Sequence, residues 1–356
     1  MILTVLSSLD ALCRQQACEA LAAAHPSAAV VVHDLLENGT VVRRTFRHDR
    51  PGQRQETVLE HACLGCRVRL EVVPAVRQLL AGGEQHVIVG LPPGVPAATA
   101  IVALRQELGG DGRVTSAVHA CAPDCVEDHI WDHHTLFESG FTPVADDERT
   151  SGEFIIGELS FCDTILAAEP DVLPVDPDGR ARGLELLREL APHADLAEDA
   201  TRIQQRRHDY AAAIGRTIPG TVQTARRCGG PFTVTHRARR PLHPERFRHA
   251  LGSLAAGCCW LRGHLWIASA PDCRIAIQGV GPRIWLENTG PWLPELRPDP
   301  GSRGTLLAAT GDGLDADEIA KLLASCELTD AEMAAGLGPW TIHQGPSGQT
   351  DPTTTT

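Results

Sequence analysis

Lysine is almost absent from this sequence, since Lys321 is the only lysine among 32 basic residues. Any chemistry that requires a lysine before that position is excluded, including the lysine of a phosphate-binding loop. Aromatic residues are also scarce, at 4% with a single tyrosine, which leaves few platforms on which nucleotide bases stack. The net charge of −13 opposes general binding to a phosphate backbone. We therefore expect no sequence-specific DNA binding.

Long uninterrupted apolar runs are missing as well. The apolar stretch 86–104 is broken by Pro92, Pro93 and Pro96, so we expect no membrane-spanning helix. No basic segment precedes the apolar residues 1–9, which argues against a signal peptide. The 12 cysteines are spread thinly, and this pattern favours thiols or metal ligands over disulfides. These features indicate a cytoplasmic protein without a membrane partner.

The hydrophobic pattern divides the 356 residues into two regions. Apolar β-like runs alternate with helical patterns over residues 1–205, which predicts an α/β domain with a mostly parallel sheet. Ser7 or Ser8 is expected to cap its first helix. Short strands with two helices predict a smaller α+β domain over residues 231–343. Residues 206–230 are interpreted as a basic linker, and residues 344–356 as a disordered tail.

The turn after the first predicted strand reads Ser7-Ser8-Leu9-Asp10. A phosphate-binding loop at this place needs glycines, so that backbone N–H groups approach the phosphates, together with a lysine. The turn contains neither residue type. The sequence therefore predicts that the loop is missing.

Arginine is concentrated between residues 202 and 248, where eleven arginines accompany only two acids, Asp209 and Glu245. One interpretation is a surface that meets an acidic protein or RNA phosphate, because the arginine fork suits both. Arg237, Arg239 and Arg240 are the predicted contacts, since they follow a predicted strand. The alternative is a basic linker neutralised within the protein by the acidic domain.

Two segments carry residues that typically bind metals. Cys63 and Cys66 have the spacing that lets two thiolates bind one Zn²⁺ from a tight turn, with further ligands needed to complete a tetrahedron. The alternative is two half-buried residues without a ligand. The second candidate set is Cys121, Cys125, His129 and His133. A helix over residues 125–134 brings Cys125/His129 and His129/His133 together as i, i+4 pairs, whereas 16 histidines also cluster by chance.

Four segments of the second half resemble the C-terminal domain of the CobW family of metal-related GTPases. They are RPLHPERF (240–247), LRGHLWIA (261–268), GPW (290–292) and LLASCELTDAEM (322–333). Their order along the chain makes the resemblance specific through about residue 340. It implies a P-loop-NTPase-like domain followed by a CobW C-terminal-type domain, with zinc and GTP as the associated cofactors.

The first half is similar to that family in layout but departs from each functional motif. Leu91 stands where the family's E-x-x-G places an acid, and the N-K-x-D segment retains only Asp171, as a residual guanine contact. The G-C-x-C-C motif retains Cys63 and Cys66. These departures argue against family-typical GTP hydrolysis, because each motif supplies a separate part of phosphoryl-transfer electrostatics.

The combination of an eroded nucleotide site with C-x-x-C most resembles an actinobacterial branch of the family, which recruits a ribosome hibernation factor. This resemblance implies a zinc-linked adaptor that docks a protein partner, a ribosome hibernation factor, at the ribosome and its RNA. The missing phosphate-loop lysine, Walker B acid and N-K-x-D lysine argue against an enzyme. The alternative is a GTP-binding zinc metallochaperone with weak or unorthodox GTPase activity.

Overall fold

The computed structural model describes residues 2–37, 39–48, 50–59, 65, 68–109, 113–170, 172, 174–223, 232–292 and 303–336. Cys63, Cys66, Asp171 and the predicted tail lie outside these residues. The described chain forms two β-sheets, one in each half, and helices cover both. The predicted limits of the two domains stay a prediction.

Eight strands form the first sheet, in the order β4-β3-β2-β5-β1-β6-β7-β8. Neighbouring strands are parallel from β2 through β8, whereas β3 and β4 add to the β2 edge in antiparallel fashion. The predicted mostly parallel sheet is therefore confirmed. The strands are β1 (Ile2–Ser8), β2 (Ala29–Leu35), β3 (Thr40–Arg47), β4 (Arg50–Val58), β5 (His86–Gly90), β6 (Arg113–Cys121), β7 (Thr164–Ala167) and β8 (Asp195–Ala197).

Helices pack on both faces of this sheet, because the central strands are apolar on both sides. Leu3, Val5 and Val89 belong to a buried cluster on one face, and Leu6 and Ile88 to a cluster on the other. No helix among the described residues is long and apolar enough to cross a membrane. The helices of this half are α1 (Ala11–Ala24), α2 (Val73–Ala81), α3 (Ala97–Leu108), α4 (Val126–Trp131), α5 (Ser151–Phe161), α6 (Pro177–Leu190) and α7 (Tyr210–Thr217).

The second half contains a five-stranded antiparallel sheet in the order β12-β11-β10-β13-β9. The predicted α+β pattern is confirmed here, and the Asp315 carboxylate caps its second helix by accepting from Asp317 N and Glu318 N. The elements are β9 (Thr233–Ala238), α8 (Pro244–Ala255), β10 (Cys258–Leu265), β11 (Cys273–Val280), β12 (Arg283–Pro291), β13 (Thr305–Gly311), α9 (Ala316–Cys326) and α10 (Asp330–Ala334).

The structure corrects one local expectation and adds a detail to another. Ser7 and Ser8 do not cap α1, because both still belong to β1 and their hydroxyls donate to the Val118 and Ala120 carbonyls of β6. The cap is Asp10. Part of the predicted basic linker is helical, since α7 lies within it and buries Ala213 against the first half.

The two halves share a buried interface. Phe154 and Ile155 of α5 belong to the same apolar cluster as Cys259 and Val280 of the second sheet. Gly281, in the β11–β12 turn, has a φ of +51°, and a Cβ built on it lies 2.1 Å from the Ile130 carbonyl oxygen at the end of α4. Only glycine fits this contact without displacing backbone.

We predict that Gly281→Ala lowers the free energy of unfolding by about 2–4 kcal/mol, because the added methyl group meets backbone as well as an unfavourable φ. Gly313→Ala is the matched control: Gly313 has a φ of +65° and nothing within 4 Å of its added Cβ, so the loss is about 1 kcal/mol. Urea denaturation of both variants measures the difference. Equal losses contradict the close contact between the halves.

Candidate functional site

The carboxyl ends of β1 and β5 form the natural ligand position of this sheet. The chain leaves β1 toward β2 on one side and leaves β5 toward β6 on the other, so the switch in strand order falls between these two neighbours. Open α/β sheets bind ligands at such a point. A cavity of about 840 Å³ lies beside it, lined by Ala11, Pro93, residues 34–37 and residues of the 137–143 loop.

In the β1–α1 turn, the Asp10 carboxylate occupies the position that a bound phosphate has in a phosphate-binding loop. Asp10 Oδ1 accepts hydrogen bonds of 2.8 Å from both Leu12 N and Cys13 N, at the first turn of α1. Helix N-terminal N–H groups are the donors that bind phosphate in such loops. A phosphate at this helix therefore has to displace Asp10 and also meets its negative charge.

The hydroxyls of the turn are engaged as well. Ser8 Oγ donates to the Ala120 carbonyl at 2.8 Å, and Ser7 Oγ lies 3.2 Å from His119 Nδ1. Both serines are fully buried. Neither hydroxyl is presented toward a ligand as a Mg²⁺-binding hydroxyl has to be.

Arg14 is the first basic residue after β1, and its side chain is fully buried. Its guanidinium donates to the carbonyls of His33 and Leu91 and forms an ion pair with Asp34. Leu91, where the family motif has an acid, is also buried, and its backbone N–H donates to the Leu6 carbonyl. Arg14 thus holds strand ends together, and its guanidinium is engaged by these groups rather than available as a phosphate ligand.

Thiols gather near the same turn. Burial is the main cause that raises the pKa values of Cys13, Cys121 and Cys125, and the nearby Asp10 carboxylate raises all three further. The pKa of Cys121 reaches about 12. A zinc ligand has to be a thiolate, so binding at these positions requires release of a proton from each thiol.

The predicted set Cys121, Cys125, His129 and His133 is not assembled as its spacing suggested. Cys121 ends β6, and the helix α4 covers only Val126–Trp131, so the i, i+4 relation of His129 to His133 is lost. Asp132 ends the helix because its ψ of 123° is extended. His129 instead packs edge-on against Phe141, with ring centroids 5.5 Å apart.

A different group lies directly after α4. Within the described ranges, Asp132, His133 and His134 are the only three His, Cys, Asp or Glu residues whose ligand atoms all lie within 4.8 Å of one another. Both histidines are exposed. The second predicted set included His133 but not Asp132, although the position of Asp132 directly before two histidines is the signal that could have found it.

The Asp132 carboxylate is held in place by hydrogen bonds, and its Oδ1 also lies 2.8 Å from His134 Nδ1. Ser139 Oγ donates to Asp132 Oδ2 at 2.6 Å, and the backbone N–H of His134 donates to Asp132 Oδ1 at 3.0 Å. Partial burial alone raises the pKa of Asp132, but these hydrogen bonds outweigh it and lower the value to about 2. The carboxylate is therefore ionised at neutral pH and suited to a cation.

The three predicted docking arginines lie on one exposed edge. Arg237 belongs to β9, the edge strand of the second sheet, and Arg239 and Arg240 follow it. All three are exposed. Arg240 forms a 2.8 Å ion pair with Asp330, whereas Arg237 and Arg239 form none with any acid that the structure describes.

Known proteins are similar to this chain both within the second half and over most of its length. The model of the cobalamin synthesis protein CobW C-terminal domain matches residues 232–327. A Mycobacterium tuberculosis protein named a zinc chaperone is 26% identical over 340 residues, which cover 84% of this chain and 82% of the relative. A Dictyostelium discoideum protein named zinc-regulated GTPase metalloprotein activator 1 is 23% identical over 231 residues, which cover 54% of this chain and 48% of that protein.

Among solved structures, the Zn(II)-bound YjiA GTPase from E. coli is similar over 92% of this chain and 99% of its own. The identity is 13% and the TM-score is 0.38, a likeness too distant to bear on function. The family match therefore assigns a CobW C-terminal domain to residues 232–327, and two of the relatives have names that include zinc.

Proposed function

We propose that this chain is a zinc metallochaperone that carries Zn²⁺ without a phosphate-binding loop of the usual kind. The observation that carries the proposal is the exposed Asp132–His133–His134 group, whose ligand atoms lie within 4.8 Å of one another. Two relatives whose names include zinc support it. They favour the metallochaperone interpretation over the ribosome adaptor.

The chemistry of the group fits a cargo ion. Zn²⁺ accepts imidazole nitrogen and carboxylate oxygen, and three protein ligands leave a fourth position open for exchange. An ion on an exposed group can be handed to a partner without unfolding the carrier. Cys63 and Cys66 are proposed as a thiolate pair that binds a second Zn²⁺, because soft ligands at this spacing favour Zn²⁺ over Mg²⁺ or Ca²⁺.

The proposed chaperone works without family-typical GTP hydrolysis. Asp10 occupies the helix donors, and Arg14 is committed to Asp34 and two carbonyls. Phosphoryl transfer needs positioned cations and donors around the transferred group. Any residual guanine contact by Asp171 lacks that support at the phosphate end.

We predict that the double substitution His133→Ala, His134→Ala weakens zinc binding at this group by at least about a hundredfold, since two of three ligands are lost. One exchangeable zinc equivalent should therefore no longer be detected. Competition titration against a zinc chelator measures it. His249→Ala is the control, because His249 is an exposed histidine outside the group. A Cys63→Ser, Cys66→Ser variant should lose a different equivalent. Unchanged zinc binding in both double variants overturns the proposal.

The nucleotide part of the proposal predicts the behaviour of Asp10 variants. Asp10→Ala should lower the free energy of unfolding by about 1 kcal/mol, because an N-cap is lost, and Asp10→Asn should retain most of it. The wild-type protein, Asp10→Ala and Asp10→Asn should all show no saturable binding of labelled GTP with Mg²⁺. GTP turnover that is abolished by Ser8→Ala or Asp171→Ala contradicts the proposal.

A second candidate function, the docking of an acidic partner such as ribosomal RNA, is favoured by one observation. Arg237 and Arg239 stand exposed on the β9 edge without an ion pair to a described acid. Arginine in this setting suits phosphate contacts, which position a protein on RNA. Asp330 already pairs with Arg240 and would compete with a phosphate for it, so Arg240 is the weakest of the three predicted phosphate contacts.

For this candidate we predict that Arg237→Glu, Arg239→Glu, Arg240→Glu abolishes co-sedimentation with ribosomes. Binding through three arginines should also fall by more than about tenfold between about 50 and 200 mM salt. The matched control reverses three exposed arginines elsewhere, Arg54, Arg77 and Arg202. Co-sedimentation that survives both the first triple reversal and high salt eliminates the candidate.

A further inference from the structure

A second cavity, of about 280 Å³, lies between the two halves of the protein. Its walls come from α5, the end of α7 and strands β10 to β12. Thr217 and Ile218 line it and are exposed, so the cavity is open to solvent there. Its volume is at the lower end of the range for small-molecule sites.

Arg262 lines this cavity and is 2% exposed. Its guanidinium stacks on Trp260 at 3.7 Å from the ring centroid. Two of its donors are used, by Thr310 Oγ1 at 2.9 Å and by the Gln223 carbonyl at 3.3 Å. Nε has no hydrogen-bond partner, and a guanidinium has five N–H groups.

No described acid forms an ion pair with Arg262. Glu189 acts on it electrostatically, but that carboxylate accepts from the backbone N–H of Phe232 and makes no direct contact with the guanidinium. Desolvation by burial lowers the pKa of Arg262 to about 9. A charge buried without its counterion is destabilising, and folded proteins normally pair it.

The other charged residues of the cavity leave it positive. Arg149 is neutralised by Asp147, and Glu153 by Arg283. Arg216 lies half-buried at the wall, donates to the Ser160 and Phe161 carbonyls, and approaches Asp163 only to 3.8 Å. Arg262 is therefore the cation of the cavity without an ion pair to a described acid, and among the other arginines of the cavity Arg216 has the longer ion pair, at 3.8 Å to Asp163.

We propose that this cavity binds a small oxyanion, a phosphate or carboxylate group carried on a compact flat body. The anion is paired by Arg262 and Arg216, and Trp260 and Trp285 supply apolar walls for the body. Arginine forks bind both oxyanions in two-point fashion. Because the cavity is built from both halves, a bound anion also stabilises their contact. The site is separate from the zinc group and from the β1–α1 turn.

The experiment uses the intact protein and four probes: inorganic phosphate, phenyl phosphate, benzoate and, as a neutral analogue, benzyl alcohol. Thermal unfolding and tryptophan fluorescence follow binding. We expect saturable stabilisation by at least one of the anionic probes and none by the neutral analogue. The three anions distinguish phosphate from carboxylate and show whether the flat body contributes.

Substitutions locate the effect. Arg262→Met should weaken the best anion at least about tenfold while leaving the ligand-free protein as stable as before or more stable, because an unpaired buried charge is removed. Arg216→Met, at the wall, should weaken binding without exposing the core. Arg303→Met is the control, since Arg303 is paired with Asp272 and lies outside the cavity.

A purely structural role of Arg262 predicts that Arg262→Met lowers the stability of the ligand-free protein. A ligand-binding role predicts that it lowers the affinity for the anion. Arg262→Lys keeps the charge but loses the fork, so it should bind the anion with intermediate affinity. The proposal is overturned if no anion gives saturable binding, or if the binding is the same in wild type, Arg262→Met and Arg216→Met.

Discussion

The buried guanidinium of Arg14 is the interaction on which the first half depends. It joins α1 to the ends of β2 and β5 by donating to the His33 and Leu91 carbonyls and pairing with Asp34. Removing either partner of a buried, hydrogen-bonded pair leaves an uncompensated charge, which is strongly destabilising. The position of α1 relative to the sheet, and therefore the shape of the cavity beside it, follows from this contact.

With α1 fixed in this way, the sheet edge has a chemistry unlike that of a phosphate site. The helix donors are satisfied by Asp10 and the serine hydroxyls by β6. The proposed metal site lies elsewhere, after α4, where hydrogen bonds hold the Asp132 carboxylate ionised beside two exposed histidines. In the proposed function, the β1–α1 turn has no part, and these residues bind the metal cargo.

Periodicity predicted the sheet classes and most strands, because alternating apolar segments are dictated by burial on one or both faces. It missed both edge strands of the first sheet, β4, whose sequence is largely polar, and β8, which has only three residues. It also failed where a single side chain decides the structure. Helical spacing alone does not distinguish an arginine that ties strand ends together, such as Arg14, from a solvated one, and the end of α4 depends on the backbone of Asp132. Arg262 was missed for the same reason, since the groups that surround its guanidinium, on Trp260, Thr310 and Gln223, come together only in the fold.

The central claim is that zinc is carried without control by a nucleotide at the β1–α1 turn. Calorimetric titration of the intact protein with Zn²⁺, with and without a large excess of GTP and Mg²⁺, tests it most directly. Linkage requires that a nucleotide coupled to zinc changes the zinc affinity by the same factor as zinc changes the affinity for the nucleotide. We expect the two zinc isotherms to coincide. A tenfold or larger change in zinc affinity on adding GTP contradicts the claim.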